Sequence, residues 1–232
     1  MPRQGLDTGR VVGAAVALAD AQGLEAVTLA AVAASLDVRP PSLYNHVAGR
    51  DGLLRAIALR ALRELAAAMR DASVGRAGPD ALTAAARAYR AYAHAHPGRY
   101  AATLRAPAPG DDEHAAAARE VLDVVVAVIR AWHLEGDAAV HAIRTVRSAL
   151  HGFVALEAAG GFELPVDLET SFDRLVATVA AGLRAVDPRR GATDPATRSA
   201  RPRPPWRGRS PSCSPRSSAW PRRRGRSSSA TP

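Results

Sequence analysis

The sequence predicts an all-α fold: an N-terminal three-helix helix-turn-helix unit followed by a larger helical body, with about nine helices in total. Three observations predict it. Apolar residues recur at helical spacing through residues 8–186, and no convincing strand alternation interrupts them. Alanine is abundant while aromatic residues make up only 4%, which suits helices packed closely through small side chains. Capping residues, glycines and prolines fall between the periodic segments and cut the chain into helices.

Each element has a local cause. The first helix runs from about Thr8 to Gln22, capped by Asp7 or Thr8 and ended by Gly23. Its apolar face is Val12, Ala15, Val16 and Ala19, and Leu24 and Val27 close over the next turn. Thr28 caps a second helix that carries Leu29, Val32 and Ala33 and ends near Leu36. Pro40 and Pro41 suit the first turn of a third helix, where missing N–H groups cost nothing. That short helix has Leu43 behind it, with Val47 just beyond, and Ser42, Tyr44, Asn45 and His46 in front. Two short helices with a tight turn between them, the second exposing a polar front, form a motif built to enter a groove of DNA.

Asp51 is the expected cap of a long fourth helix reaching about Ala72. Residues 73–79 are a linker by composition. Five more helices are expected, at about Asp80–Ala95, Pro97–Leu104, Asp111–His133, Asp137–Ala159 and Asp167–Val186. Arg105–Gly110 is a Pro-rich loop, and Gly160-Gly161 is a stop. The predicted organisation is therefore a DNA-binding helix-turn-helix domain over residues 1–55, a larger helical domain over 56–187, and a tail over 188–232.

The net charge of +9 and the pI near 11.1 belong to the tail. From Pro188 onward there are twelve arginines and one aspartate, whereas residues 1–187 carry nineteen arginines and twenty-one acids, a net of −2. Bulk charge is therefore no support for the helix-turn-helix reading. The tail is rich in Arg, Pro and Ser, which predicts disorder. It reads either as a basic arm adding sequence-blind DNA affinity or as a GC-rich coding strand translated out of frame.

One cysteine, Cys213, rules out a disulfide framework or a Cys-rich metal site within one chain. His94 and His96 are two residues apart and do not share a helix face, so no metal site is expected. There is no Gly-rich phosphate loop, paired-carboxylate constellation or nucleophile motif, which argues against an enzyme and against a cofactor. Glu157 near His151 is one acid–base arrangement to weigh, against ion pairing or capping. The N-terminus lacks the apolar core of a signal peptide, and the apolar run Val121–Trp132 is broken by Asp123 and Arg130. A soluble cytoplasmic protein is the expectation.

Residues Ala14–Gly23, Thr28-Leu-Ala-Ala-Val-Ala33, Val38-Arg-Pro-Pro-Ser-Leu-Tyr-Asn-His-Val47 and Gly49-Arg-Asp-Gly-Leu-Leu54 together resemble the DNA-binding domain of the tetracycline-repressor (TetR) family of transcriptional regulators. Ser148-Ala-Leu-His-Gly-Phe153, Leu156-Glu157 and Gly160-Gly-Phe162 resemble the ligand and dimerisation domain of a TetR subgroup named for a Trp…His-Gly motif; here Arg147 stands where that Trp is expected. The two resemblances cover most of residues 8–186. They imply a homodimer that binds an inverted-repeat operator in double-stranded DNA and responds to a small-molecule effector.

The resemblance implies that Tyr44 and His46 contact phosphates. Thr28 and the start of the second helix offer N–H groups to another phosphate, and Arg50 can reach one beyond the turn. Base reading falls to Arg39, Pro40, Pro41, Ser42 and Asn45: Arg suits guanine, Asn adenine and Pro a thymine methyl. Tyr44 could instead pack on the first helix, and Arg39 could be a solvated charge. Tyr89, Tyr92, His96, Tyr100, Trp132, Arg144 and His151 are the candidates for the ligand pocket, with helix-core packing as the alternative for each. Phe153, Phe172, Leu175 and Val179 are the candidates for the dimer interface, with intrachain core as the alternative.

Overall fold

The computed structural model describes residues 5–187, and the tail expected over 188–232 lies outside them. Among the described residues the chain is entirely helical: α1 (Thr8–Gln22), α2 (Leu29–Ser35), a 3₁₀ helix (Pro40–Asn45), α3 (Gly49–Ser73), α4 (Gly78–Ala95), α5 (Pro97–Ala102), α6 (Asp112–Ile129), α7 (Gly136–Ala158) and α8 (Leu168–Ala185), with shorter 3₁₀ turns at Leu24–Ala26 and Arg130–Trp132.

Capping side chains set the starts. Asp7 accepts from the Arg10 amide at 2.8 Å, Thr28 from Ala31 at 3.1 Å, Asp111 from His114 at 3.1 Å and Asp167 from Thr170 at 2.7 Å. The end of α7 is a Schellman motif. Gly160 adopts φ +69°, its amide donates to the Glu157 carbonyl, and the Gly161 amide reaches Leu156 at 2.7 Å. The tight turn after α2 uses the same device with Asp37 at φ +54°; the Asp37 amide donates to the Ala34 carbonyl and the Val38 amide to Ala33.

Four expectations are corrected. The third helix is 3₁₀ and not α: at six residues it is short enough to close with bonds three residues back, Ser42 N–H to Arg39 and His46 N–H to Leu43. The long helix begins at Gly49, so Asp51 lies inside its first turn and does not cap it. The helix expected to reach His133 stops at Ile129 and tightens into 3₁₀, with His133 left-handed at φ +51°. In α1 Val11 is fully buried with Ala15 and Ala19, and Val12 sits half-buried beside it.

Two main hydrophobic clusters organise the molecule. One joins α1, α2, the 3₁₀ helix and the start of α3 through Val11, Ala15, Ala19, Val27, Val32, Leu43, Leu53, Leu54 and Ile57. The other joins the far end of α3 to α4, α6, α7 and α8 through Met69, Leu82, Tyr89, Ile129, Trp132, Leu150, Phe153 and Phe172. Helix α3 runs from one cluster to the other and packs most extensively on α6 and α4.

A second link comes from α5. Its Ala102 is fully buried in the first cluster, while its Tyr100 is buried in the second. Gly98 permits the approach: a Cβ there would lie 2.0 Å from the Ala19 carbonyl oxygen and 2.6 Å from the Asp20 nitrogen. Arg99 then fastens the contact. Its amide donates to Asp20 Oδ1 at 2.8 Å, its Nε to Asp20 Oδ2 at 2.7 Å and its Nη1 to Glu64 Oε2 at 2.7 Å.

Candidate nucleic-acid interface and regulatory cavity

The 3₁₀ helix has one buried anchor and an exposed front. Leu43 is fully buried, with Val47 beside it, while Arg39, Pro40, Pro41, Ser42, Tyr44 and Asn45 are exposed and His46 is half-buried. Tyr44 is 63% exposed, which sets aside its packing on α1. This gives a short ridge of hydroxyl, amide, imidazole and guanidinium groups held by one apolar side chain. Such a ridge offers phosphate donors and base-edge readers together. Thr28 is exposed at the neighbouring helix start, with its hydroxyl oxygen accepting from its own helix.

Arg50 is placed differently from the sequence expectation. Its Nε donates to the Val27 carbonyl at 2.9 Å and its Nη2 to the Leu24 carbonyl at 3.2 Å, with Glu25 at 3.4 Å. The guanidinium thus ties the start of α3 to the loop that enters α2. Proximity in sequence to the recognition segment suggested a phosphate; the carbonyls that take its protons lie 23 and 26 residues upstream.

The expected pocket residues divide into three groups. Tyr89 lines an internal cavity of about 90 Å³. Its hydroxyl lies 2.8 Å from that of Tyr100, which lies 2.6 Å from His151 Nδ1. Tyr100 and His151 face an outer groove of about 440 Å³, and exposed Leu104 lines both spaces. Burial pushes both phenols above the ordinary tyrosine range, opposed in part by the positive charge of Arg147, so both remain neutral hydrogen-bonding groups at neutral pH.

Tyr92 and His96 belong to a second set. Their rings meet edge-on at 4.9 Å, and the Tyr92 hydroxyl donates to Glu64 Oε2 at 3.1 Å. Burial, reinforced by Glu64, raises the Tyr92 phenol. Burial alone would raise Glu64, but hydrogen bonds from Arg60 and Arg99 outweigh it and hold that carboxyl below the ordinary range. This set supports α5 and does not line the cavity.

Trp132 and Arg144 are off the cavity as well: Trp132 is 2% exposed in the core and Arg144 is exposed on α7. Sequence reasoning missed the aliphatic wall of Leu65, Met69, Val125 and Leu150, and Arg147 at its edge. Apolar residues at core spacing carry no mark that separates a cavity wall from a filled core. Wider depressions of about 600 and 860 Å³ near Arg76 and Ala77 are open to solvent and hold none of the expected residues.

Phe153 and Phe172 are intrachain core. Phe172 is fully buried, the two rings are 5.1 Å apart, and the Arg90 guanidinium lies 5.0 Å from the Phe172 ring. Arg90 is itself held by Glu157 at 2.6 and 2.8 Å and by Glu169 at 2.7 Å. Glu157 also meets His94 Nε2 at 2.8 Å, so it pairs with Arg90 and His94 and not with His151. Leu175 and Val179 are half-buried against the same core. Among the described residues no group of three or more His, Cys, Asp or Glu side chains could hold a metal ion, and no helix is long and apolar enough to cross a membrane.

Known proteins align with both halves. Residues 11–57 match the family model described as bacterial regulatory proteins, tetR family, and residues 82–179 match that of the tetracyclin repressor-like C-terminal domain. The chain is 40% identical over 174 residues to the uncharacterised HTH-type transcriptional regulator Rv0681 of Mycobacterium tuberculosis, covering 75% of this chain and 79% of that one. It is 35% identical over 187 residues to the uncharacterised HTH-type transcriptional regulator YobS of Bacillus subtilis, covering 78% and 95%. The structure of SCO7222, a TetR from Streptomyces coelicolor, superimposes with a TM-score of 0.63 at 21% identity over 79% of this chain and all of that one, a likeness of fold. The exposed recognition ridge, the helical body and these alignments place the chain in the TetR family of helix-turn-helix transcriptional regulators.

Proposed function

We propose that the chain is a cytoplasmic, non-enzymatic homodimeric repressor that binds an inverted-repeat operator and is released by a small-molecule effector. The observation that carries the DNA arm is the recognition ridge: six exposed residues from Arg39 to Asn45 on the single buried anchor Leu43. One ridge with few cations binds weakly, because phosphate neutralisation supplies much of the affinity. Two ridges on one duplex remedy this, and they set half-sites one helical turn, roughly 34–36 Å, apart. The end of α7 and the segment after it leave Leu156, Leu164 and Val166 exposed, which supports pairing of this face with a second copy, with the half-buried Leu175 and Val179 of α8 at its margin.

Release works through α5 as well as α3. Tyr100 touches the cavity side through Tyr89, and two residues away Gly98 rests on α1. An effector that displaces Tyr100 therefore shifts α1 and changes the spacing of the two recognition ridges. The single test is operator binding by the intact protein after site selection on random duplexes. The reading expects a palindromic site occupied by two chains and vacated on adding an effector.

A second reading drops the effector and leaves control to protein abundance. The cavity favours it: about 90 Å³ falls short of the roughly 300–1,000 Å³ usual for drug-sized ligands. Titration with small probes separates the two readings. Unchanged operator affinity throughout supports the second.

A further inference from the structure

The internal cavity has an asymmetric lining. Its walls are aliphatic side chains from α3, α6 and α7 together with Leu104, Tyr89 and Thr103, and among the described residues the only charged one bordering it is the exposed Arg147. None of the described carboxylates lines it. Arg147 forms no ion pair or hydrogen bond among the described residues, in contrast to Arg55, Arg90 and Arg99, which are each held by acids. The Arg147 charge still reaches inward, since it lowers the cost of ionising the Tyr89 and Tyr100 hydroxyls. Beside it Leu104 is 47% exposed and lines both the cavity and the outer groove.

From this lining we infer that the cavity takes a small anionic amphiphile, an aliphatic chain ending in a carboxylate, with Arg147 and the Tyr89 hydroxyl holding the headgroup and Leu65, Met69 and Val125 holding the chain. The inference rests on the effector reading above and names the class of effector. Each part has a physical reason. A carboxylate matches a guanidinium fork that has no internal acid to compete for it. An uncharged apolar molecule would leave the exposed guanidinium unused, and a cation would be repelled by it. The volume of about 90 Å³, roughly three water volumes, suits a short chain and admits a longer one only by moving Leu104. Where Tyr89 is the donor in its bond with Tyr100, a headgroup oxygen accepting from Tyr89 competes with Tyr100 for that proton. The 2.8 Å bond between them is one link from the cavity to α5, beside Thr103 at the end of that helix.

The test uses the intact chain, titrated calorimetrically with hexanoate and octanoate and with the matching neutral alcohols 1-hexanol and 1-octanol. The wild type should bind the carboxylates about 10- to 100-fold more tightly than the alcohols, the range for a hydrogen bond to a charged group. Arg147→Gln should abolish that preference at unchanged melting temperature, and Arg147→Lys should keep most of it. Equal binding of acid and alcohol, unchanged preference in Arg147→Gln, or no binding of either series would overturn the inference. Operator release, measured in parallel, separates the two levels. Carboxylates that bind through Arg147 without releasing DNA leave this assignment standing and remove the effector role. Alcohols that release DNA as well as acids do the reverse.

Discussion

Replacing Gly98 with alanine tests the α5–α1 contact through a single methyl group. The added carbon would sit 2.0 Å from the Ala19 carbonyl oxygen and 2.6 Å from the Asp20 nitrogen, and both obstacles are backbone. Rotamer changes cannot relieve the clash, so α5 must retreat from α1 by roughly an ångström. Overpacking of this kind costs about 1–3 kcal/mol. The retreat also stretches the 2.7 and 2.8 Å bonds from Arg99 to Asp20, each a charge-assisted bond worth about 1.5–3 kcal/mol at most. Because the two costs share one displacement, a combined loss of about 2–4 kcal/mol is expected. For a domain of this size that lowers Tm by roughly 5–15 °C. Gly13→Ala is the control: it lies inside α1, a Cβ there meets nothing within 4 Å, and it should be neutral or stabilising by up to about 1 kcal/mol. The assays are thermal denaturation followed by circular dichroism, and operator binding by the folded fraction. If Gly98→Ala matches Gly13→Ala in both, α5 does not clamp α1 and the proposed route of release is wrong.

Three further predictions concern other contacts. Glu157→Gln removes the carboxylate that holds the nearly buried Arg90, and should destabilise the protein by about 3 kcal/mol in urea denaturation at neutral pH. The Arg90 bond holds the Glu157 carboxyl below its ordinary value of 4.5, so its contribution is present above pH 4.5 and is lost as pH falls through the lower folded value. The variant should accordingly lose less stability than wild type below pH 4.5, and parallel acid curves would contradict the assignment. Arg50→Ala should loosen the loop over Leu24–Thr28 in hydrogen exchange and weaken all duplexes alike without changing the salt slope; a slope reduced by about one unit would instead restore the phosphate role. Tyr44→Ala should weaken binding to every sequence, whereas Asn45→Ala should alter which base is preferred, as read by binding to a panel of single-base operator variants.

Features whose causes are local were legible in the sequence. Thr28 caps as expected, and Asp7 is the cap of the two offered for α1, because an N-cap contact spans only four consecutive residues. Leu43 as anchor and Tyr44 as exposed front followed from apolar spacing alone. What could not be read depends on distant partners. Gly98 looks like a helix breaker in a short segment, and its reason is a carbonyl on α1, beside an aspartate 79 residues from Arg99. Arg90 and Glu157, 67 residues apart, form an ion pair that neither neighbourhood announces. Phe153 and Phe172 were ambiguous in principle, because a helix buries the same stripe against its own chain or against a second copy, and Arg90 decides between them by sitting over both rings. The 3₁₀ form of the recognition segment was missed because two prolines permit an α-helical first turn as readily as a tighter one.

The central claim is that the ridge from Arg39 to His46 works as one half of a symmetric DNA reader. Selection from a pool of random duplexes at moderate salt, followed by native mass measurement of the selected complex, tests this most directly. The account predicts an inverted repeat with half-sites about one helical turn apart and an even number of chains on each site. An enriched site without two-fold symmetry, a single chain bound, or no enrichment at all would contradict it.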